Sequence, residues 1–235
     1  KQWALAIDAA SQTACYRSDL IGSYPLNWNA LIGLAKNNRV LWPLKPVHAI
    51  SSFYSIYNNL TLELIPEKKD FIDKYFGVKT LTMMKAVSNE LINDCLSMDP
   101  IQTAELMTET DDFYYCPYIY GFSNYSRKNY RKNILKYIDV MNLSGKGPAG
   151  THLGGTGIAV SNVSKNKDLA LEYAFWIASA ECQKSLFYES GGQPGNSVAW
   201  EDDKINIETN DFFRATRKTL DLAWVRPRHN GYMEF

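Results

Sequence analysis

Three closely spaced glycines are the residues of this sequence best suited to bring a ligand near the backbone. Gly154, Gly155 and Gly157 stand in "GGTGIAV", residues 154–160. A loop that binds a nucleotide phosphate follows a strand and opens a helix, because helix-terminal N–H groups hold the phosphate. Here the glycines precede the predicted strand "IAVS", and no Lys-Ser or Lys-Thr pair follows them directly. Two interpretations remain: a turn or bulge that needs positive φ, and a bare backbone wall beside another ligand.

Side chains that could catalyse a reaction are present, but without the spacing that known mechanisms need. The sequence has no GxSxG, HExxH or glycine-lysine loop, and its three histidines are scattered at positions 48, 152 and 229. Adjacent carboxylates occur at Asp111–Asp112 and Asp202–Asp203. Glycoside hydrolysis uses two acids that flank one bond, whereas neighbours on a strand point to opposite faces. We interpret these pairs as acidic turns and predict no catalytic residue, no cofactor and no metal site.

The composition argues against several classes of partner. In 235 residues, 25 Lys and Arg balance 25 Asp and Glu, and the one basic cluster, residues 127–136, is short, so we predict no nucleic-acid partner. Apolar runs such as "YAFWIASA" fall far short of the ~20 residues of a membrane helix. The four cysteines (Cys15, Cys95, Cys116 and Cys182) include no CxxC pair. Buried thiols and disulfides both remain open for them.

Helical and strand patterns alternate along the chain, which indicates an α/β fold. Asn27 is placed to cap one helix, and Asp99 with Pro100 marks the start of another. Strands are predicted at residues 3–8, 13–17, 39–44, 134–143 and 158–161, with a further strand that runs into an aromatic loop within 111–126. Helices are predicted at residues 28–36, 47–57, 67–75, 78–93, 100–109, 168–178, 181–190 and 211–224.

Five stretches, in order, resemble the extracellular solute-binding proteins of ABC importers, the sugar-binding type called family 1. A hinge strand with a following polar element is similar to "ALAIDAASQTACYRSDLI", and the helix after it to "YPLNWNALIGLAKNN". A helix and strand leading to an aromatic loop are similar to "SMDPIQTAELMTETDDFYYCPYIYGFSNYS". The glycine-rich strand entry is followed by "SKNKDLALEYAFWIASAECQKSLFYESGGQPG", and "WVRPRHNGY" resembles a late cleft segment. The joint order is more specific than any one motif.

The resemblance implies a periplasmic-binding-protein-like fold of type II, with one complete lobe and part of the other around a hinge. Residues 9–136 and 191–235 would form the second, C-terminal lobe. Residues 1–8 and 137–190 would supply the hinge strands and the remaining part of the first lobe. Because family members have more chain before the hinge strand and after the last segment, the sequence resembles a fragment that lacks most of the first lobe.

The same resemblance implies which residues meet a solute. Aromatic faces suit the apolar surfaces of sugars, and a few polar groups specify hydroxyls. The candidates lie at the end of the hinge strand, at a helix start, in the aromatic loop, in the glycine wall and in the late segment. They are Asp8, Gln12, Lys45, His48, Tyr118, Tyr120, Phe122, Asn124, Tyr125, Gly154, Gly155, Arg226 and Arg228, with His152 as a weaker addition.

The implied function is delivery of a small solute to the membrane subunits of an ABC importer by closure of two lobes. The solute would be a sugar, a polyol or a sugar phosphate, and the protein would be a monomer outside the cytoplasm, in a periplasm or lipid-anchored at the cell surface. Two alternatives remain open at this point. One is a glycoside-active enzyme, and the other is a protein-interaction module without a small ligand, in which the aromatic loop would simply pack.

Overall fold

A computed structural model describes residues 2–61 and 72–226 of the chain. Within these ranges there are four strands, ten α-helices and two short 3-10 helices, at Asn93–Leu96 and Ser123–Ser126. The predicted alternation of helices and strands is not observed throughout, because no α-helix separates β2, β3 and β4. The strands are β1 Leu5–Tyr16, β2 Tyr115–Tyr120, β3 Lys136–Ile138 and β4 Leu153–Ile158. The helices are α1 Trp28–Ala35, α2 Pro46–Thr61, α3 Lys74–Ser88, α4 Pro100–Glu109, α5 Lys167–Ala178, α6 Ala180–Lys184, α7 Leu186–Glu189, α8 Ser197–Trp200, α9 Asp203–Glu208 and α10 Phe212–Asp221.

The long strand β1 organises the sheet. Its first half, from Leu5 to Ser11, pairs antiparallel with β4. Its second half pairs antiparallel with β2 from Gln12 to Tyr16, and on the other side with β3 from Ala14 to Tyr16. The prediction of two short strands separated at Ala9–Gln12 is therefore wrong, because backbone pairing continues through that segment. The strand changes partners there instead of ending.

The second half of β1 lies in the hydrophobic core. From Ser11 to Arg17 every residue of the strand and its end is buried. One cluster of buried side chains includes Phe212 and Phe213 of α10, and another includes Trp42, whose ring stacks on Tyr118 with centroids 5.9 Å apart. The core thus surrounds the part of β1 that pairs with two strands.

A buried arginine closes the end of β1. Arg17 is 1% exposed and donates to the carboxylates of Asp19 and Asp111 at 2.7 Å each. It also donates to the carbonyl oxygens of Met107 at 2.8 Å and Thr110 at 2.6 Å. Because these carbonyls lie at the C-terminal end of α4, the guanidinium fastens the strand end to that helix.

Two predicted helix starts are confirmed. The side chain of Asn27 accepts from the backbone N–H of Ala30 and caps α1. Asp99 caps α4 by accepting from the Gln102 backbone N–H, and the Gln102 side-chain oxygen accepts from the Asp99 backbone N–H. The two bonds form a capping box, and Pro100 is the first residue of the helix.

Other predicted boundaries are wrong for local reasons. The break at Gly77 does not occur, because Asp73 caps α3 and the helix runs through that glycine to Ser88. Of the predicted helix 67–75, residues 67–71 lie outside the described ranges. The predicted helix 181–190 is split at Ser185, whose backbone leaves the helical region. The predicted strand 39–44 is reduced to an isolated bridge between Val40 and Tyr115. The predicted strand 134–143 is reduced to the three residues of β3.

Candidate functional site

The point where β1 changes partners is held by a buried polar network. Gln12 accepts a hydrogen bond from the Ser55 hydroxyl at 2.6 Å and donates to the Ser52 oxygen at 3.1 Å. The Ser52 oxygen also accepts from the indole N–H of Trp42 at 3.1 Å. Gln12 is buried, and its amide oxygen and nitrogen each form a hydrogen bond to α2, so it fastens α2 to β1.

A row of five aromatic and imidazole rings passes beside this junction. His48 lies in the first turn of α2, Tyr120 is the last residue of β2, and His152 directly precedes β4. Trp224 follows α10, and Tyr54 lies on α2. In the order His48, Tyr120, His152, Trp224 and Tyr54, successive ring centroids are 6.5, 6.4, 5.5 and 5.4 Å apart. The row brings together three residues that the sequence analysis named and adds Trp224 and Tyr54.

His152 is the most constrained member of the row. Its ring is nearly buried, and Nδ1 lies 3.1 Å from the Ser51 hydroxyl oxygen. That hydroxyl donates to the Val47 carbonyl at 2.8 Å, so it can only accept from the imidazole. We assign the proton to Nδ1 on this basis, which leaves Nε2 as a buried acceptor without a hydrogen-bond partner in the described structure. Burial, and secondarily the charge of Arg226, lowers the pKa of His152 to about 4, so the ring is neutral at pH 7.

His48 stands on the other side of Tyr120 and has similar electrostatics. Its Nδ1 is also buried without a hydrogen-bond partner among the described residues. Burial lowers the pKa of His48, with opposing contributions from Asp99, which raises it, and Lys45, which lowers it further. Tyr120 is therefore flanked by two imidazoles that disfavour a positive charge.

The glycines lie inside β4, not in a loop before a strand as predicted. A Cβ atom on Gly154 would come within 2.9 Å of the Tyr120 ring. Gly155 has φ of +131°, and a Cβ atom there would meet the Asp8 carbonyl oxygen at 2.5 Å. Both glycines thus permit close contact with protein atoms, and the positive φ agrees with the interpretation as an irregular strand position. Since residues 159–166 separate β4 from α5, the geometry of a phosphate loop is absent from this segment.

Asp8 lies on the same face of β1 as Gln12. Asp8, Ala10 and Gln12 alternate along an uninterrupted stretch of the strand, so their side chains share one face. Asp8 pairs with Thr156 of β4 and is half-buried. Burial raises the pKa of its carboxyl to about 6, although a hydrogen bond from the Thr156 side chain favours the charged form. A carboxylate acceptor therefore lies along the strand from the ring row.

Tyr118 and Tyr125 of the aromatic segment lie in the protein interior, and Asn124 is partly buried. Tyr118 is 1% exposed and belongs to the core. Tyr125 is buried as well, and its hydroxyl donates to Glu105 at 2.7 Å. The amide of Asn124 donates to the carbonyl of Gly191 at 3.2 Å. These contacts show side chains that pack and position the loop, away from the ring row.

The remaining candidates are more open to solvent. Phe122 is 37% exposed, and Lys45 is exposed just before α2 begins. Arg226 is exposed and lies within electrostatic reach of His152. Arg228 lies outside the described residues. The structure therefore groups His48, Tyr120, Gly154 and Arg226 around His152, and it leaves Phe122 and Lys45 at the surface.

Gln193 is a residue whose importance the sequence analysis missed. Its amide N–H group donates to the carbonyls of Ala9 at 3.0 Å and Gly121 at 3.1 Å, and its oxygen accepts from the Ser123 N–H at 2.8 Å. It thereby ties β1 to the loop that follows β2. The sequence shows there only a lone glutamine between glycines and a proline, a pattern typical of a turn. Trp224 was missed because a single tryptophan after a helix resembles an ordinary core residue.

A surface depression lies elsewhere on the chain. It measures about 540 Å³ beside α8 and α9 and contains Lys184, Glu201, Asp202 and Arg217. These charges are already paired, Lys184 with Asp202 and Arg217 with Glu201, so they provide no unsatisfied group for a ligand. Within the described chain, no group of three or more His, Cys, Asp or Glu side chains is arranged to hold a metal ion. Nor does any helix in residues 2–61 and 72–226 have the length and apolar character to cross a bilayer.

Comparisons with known proteins identify the fold. No protein-family model matches the sequence, and no curated protein matches it either. Among solved structures, the maltose-bound MalE3 protein of T. maritima superposes with a TM-score of 0.82 at 15% identity, over 99% of this chain and 64% of that one. An ABC transporter solute-binding protein from Agrobacterium vitis with bound D-mannitol gives a TM-score of 0.76 at 17% identity, over 95% and 59%. A solute-binding protein from Agrobacterium radiobacter in complex with ribitol gives 0.74 at 17% identity, over 93% and 59%.

The chain therefore has the periplasmic-binding-protein-like α/β fold that the sequence resemblance implied. It spans about three fifths of the length of the structures that it matches. The resemblance to sugar-binding and polyol-binding proteins of ABC transporters is confirmed at the level of the fold. Those fold neighbours are described as binding proteins and not as enzymes.

Proposed function

We propose that this chain supplies the hinge strand and one wall of the cleft of an extracytoplasmic solute-binding protein for a sugar or polyol. The observation that carries the proposal is the neutral, buried His152, whose Nε2 accepts no hydrogen bond within the described structure. A buried acceptor without a partner is costly unless a ligand or water satisfies it. A solute hydroxyl group is the donor that fits a neutral imidazole.

The neighbours of His152 suit the same class of solute. Tyr120, which is partly exposed, provides an aromatic face beside it, and such faces pack against the C–H surfaces of sugar rings. Trp224 is only 3% exposed and packs against the imidazole from the interior. Asp8, when ionised, accepts hydrogen bonds only and so also selects hydroxyl donors. We place Asp8, His48, Tyr120, Gly154, Gly155 and Arg226 at the solute, with Lys45, Phe122 and Arg228 at its rim. Gln12, Tyr118, Asn124 and Tyr125 position these residues from the interior.

The proposal includes a division of the chain into two lobes. Residues 9–136 and 191–235 would form one lobe, with residues 1–8 and 137–190 supplying the hinge strands and part of the other. The move of β1 from β4 to β2 and β3 between Ser11 and Gln12 supports a hinge within this strand. Closure requires contacts that exist only when both lobes touch the solute. The closed form would then dock on the membrane subunits of an importer.

A binding assay with matched tyrosine variants tests the proposal. Melting temperature is measured with maltose, D-mannitol, ribitol and glycerol 3-phosphate, and hits are titrated by calorimetry. At a concentration of about 100 times Kd, a ligand stabilises the native state by about 2.7 kcal/mol, which raises Tm by roughly 5–10 °C. We expect a neutral solute to produce such a shift, Tyr120→Ala to remove it, and Tyr173→Ala, which changes an exposed tyrosine of α5, to leave it unchanged.

Three outcomes would contradict the proposal. A well-folded protein that responds to no solute at millimolar concentration would favour an interaction module. Release of reducing sugar during the titration would favour a glycoside-active enzyme. A shift with glycerol 3-phosphate alone would replace the neutral solute by a phosphorylated one, recognised through Arg226 and Lys45. His152→Phe, which keeps a ring but removes the acceptor, separates the hydrogen bond from ring packing in each case.

A further inference from the structure

Two cysteines of the core lie directly opposite each other. Cys15 of β1 and Cys116 of β2 are register partners in the antiparallel ladder, and both are fully buried. The Cys116 thiol is in hydrogen-bond contact with the Cys15 thiol, and it also lies 3.8 Å from the Tyr118 carbonyl oxygen. All four cysteines carry free thiols in the structure. The backbone pairing of β1 and β2 therefore holds the sulfur atoms of Cys15 and Cys116 side by side.

The geometry is compatible with a covalent bond. Opposite residues of an antiparallel pair have Cα atoms roughly 4.5–5.5 Å apart, inside the range of about 4.4–6.8 Å found for disulfides. Their Cβ atoms are about 4.5–5.5 Å apart and must approach to roughly 3.5–4.5 Å, which is a shift of about 1 Å. A register irregularity between Thr13 and Cys15 shows that the ladder is not rigidly regular there. We propose that Cys15 and Cys116 form a cross-strand disulfide when the chain folds in the presence of a disulfide oxidant.

The other two cysteines have no such pairing. Cys95 shares the core with Cys15 and Cys116 but belongs to the 3-10 helix Asn93–Leu96. Cys182 lies in α6, outside that cluster of side chains. Neither is a register partner of another cysteine in the described strands. The sheet therefore selects Cys15 and Cys116 as the one cross-strand pair among the four cysteines.

The bond forms by two thiol–disulfide exchanges. A thiolate of one cysteine attacks a small-molecule disulfide such as oxidised glutathione and expels one glutathione thiolate. The second cysteine thiolate then attacks the mixed disulfide and expels the second. Two protein thiols lose two protons and two electrons, and one glutathione disulfide is reduced to two thiols. Because burial raises the pKa of Cys116 in the folded state, the exchange occurs before β1 and β2 close over the sulfurs.

The bond would staple the second half of β1 to the strand that ends in Tyr120. It encloses a loop of about 100 residues, for which loop-closure arguments predict a substantial gain in stability. The pairing with β4 involves only the first half of β1, so the bond leaves the junction at Ser11 and Gln12 free to bend. The inference thus stands independently of whether a solute binds.

Oxidative refolding of this chain tests the inference. The protein is refolded from guanidinium chloride with glutathione redox buffer or with a phosphine reductant, and it is then alkylated, digested and mapped by mass spectrometry. We expect a mass loss of two hydrogens, one peptide pair that joins Cys15 to Cys116, and alkylated Cys95 and Cys182. We also expect Tm to exceed that of the reduced protein by about 5 °C or more.

Variants separate the specific pair from general thiol chemistry. Cys116→Ala should abolish the mass loss and the reductant-dependent change in Tm, whereas Cys182→Ala should retain both. Four alkylated thiols in the natively refolded chain would overturn the inference, and so would a bond that uses Cys95 or Cys182. The wild-type peptide map decides the question even if Cys116→Ala fails to fold. Solute binding is measured separately, so failure of one proposal does not affect the other.

Discussion

The two halves of strand β1 lie in different surroundings. From Leu5 to Ala10 the strand is partly exposed and pairs with β4 alone. From Ser11 to Tyr16 it is fully buried, it pairs with β2 from Gln12 onward, and from Ala14 to Tyr16 it also pairs with β3. One continuous strand thus connects a partly exposed region with a region of densely packed side chains.

The helices that contact β1 show the same contrast. In α10, Phe212 and Phe213 are completely covered, and Phe213 packs edge-to-face on Trp200 with centroids 5.1 Å apart. In α5, which also packs against β1, only Ala174 is buried, while Leu169 and Phe175 are 66% and 63% exposed. An apolar sequence is stabilising only where other side chains cover it. We therefore attribute most of the stability of the described chain to the surroundings of the second half of β1.

The largest predicted effect compares one phenylalanine from each helix. Phe213→Ala leaves a cavity in the core and should lower the free energy of unfolding by about 3–5 kcal/mol. Phe175→Ala removes a ring that is mostly in solvent and should change it by no more than about 0.5 kcal/mol. Urea unfolding followed by circular dichroism measures both. Equal losses would show that α5 is covered in solution and would remove the contrast.

Arg17 is expected to be nearly as important, because it ends the buried half of the strand. Arg17→Ala would leave the Met107 and Thr110 carbonyls without their donor and should lower the free energy of unfolding by about 3 kcal/mol. The matched control is Arg39→Ala. Arg39 is partly exposed and lies over the Tyr114 ring at 4.8 Å, so its loss should be below about 1 kcal/mol. If both variants unfold at the same urea concentration, the buried network is not a stabilising feature.

Much of the fold could be predicted from the sequence, and the failures have local causes. Capping residues such as Asn27 and Asp99 act through neighbouring N–H groups, so their effect is visible in a short segment. The continuity of β1 through Ala9 and Gln12 depends on partners more than a hundred residues away, which no local pattern reports. Gly77 looks like a helix break, yet the Asp73 cap and the packing of α3 override its low propensity.

The candidate site was harder to predict because burial decides which polar and aromatic groups can meet a ligand. Tyr118 and Tyr120 are two residues apart on one strand and read alike in the sequence. In the structure Tyr118 faces Trp42 in the core, while Tyr120 lies between His48 and His152. His152 is only a weaker candidate from the sequence, because a lone histidine has no characteristic spacing to another functional residue. Its importance comes from Ser51 and from ring neighbours supplied by distant elements.

A glycine substitution sharpens the description of the exposed half of β1. Gly155→Ala would place a Cβ atom 2.5 Å from the Asp8 carbonyl and force alanine into a φ of +131°. We expect a loss of about 2 kcal/mol in the free energy of unfolding, since both the strand pair and the backbone angle must adjust. Gly33→Ala is the control, because Gly33 lies in α1 with nothing within 4 Å of the added atom. That change should stabilise the protein by about 0.5–1 kcal/mol.

The smallest predicted effect concerns two groups near the junction whose pH dependences oppose each other. The folded-state pKa of Asp8 is raised to about 6, above its value in an unfolded chain. Its contribution to stability is therefore present at acidic pH and is lost as pH rises from about 4 through 6. The folded-state pKa of His152 is lowered to about 4. Its contribution is present above about pH 6.5 and is lost as pH falls toward 4.

Between pH 4 and 6.5 the two contributions change in opposite directions. The melting temperature of the wild-type protein should therefore vary less with pH than that of Asp8→Asn or His152→Phe. Asp8→Asn leaves the histidine term, and Tm should then rise with pH across this interval. His152→Phe leaves the aspartate term, and the slope of Tm against pH should become more negative than that of wild type across the same interval. Thermal unfolding at half-unit pH steps measures both slopes relative to wild type. Slopes of the same sign in the two variants would mean that Asp8 or His152 is solvated, and the face of β1 that carries the proposed site would then lack the buried acceptors on which solute recognition depends.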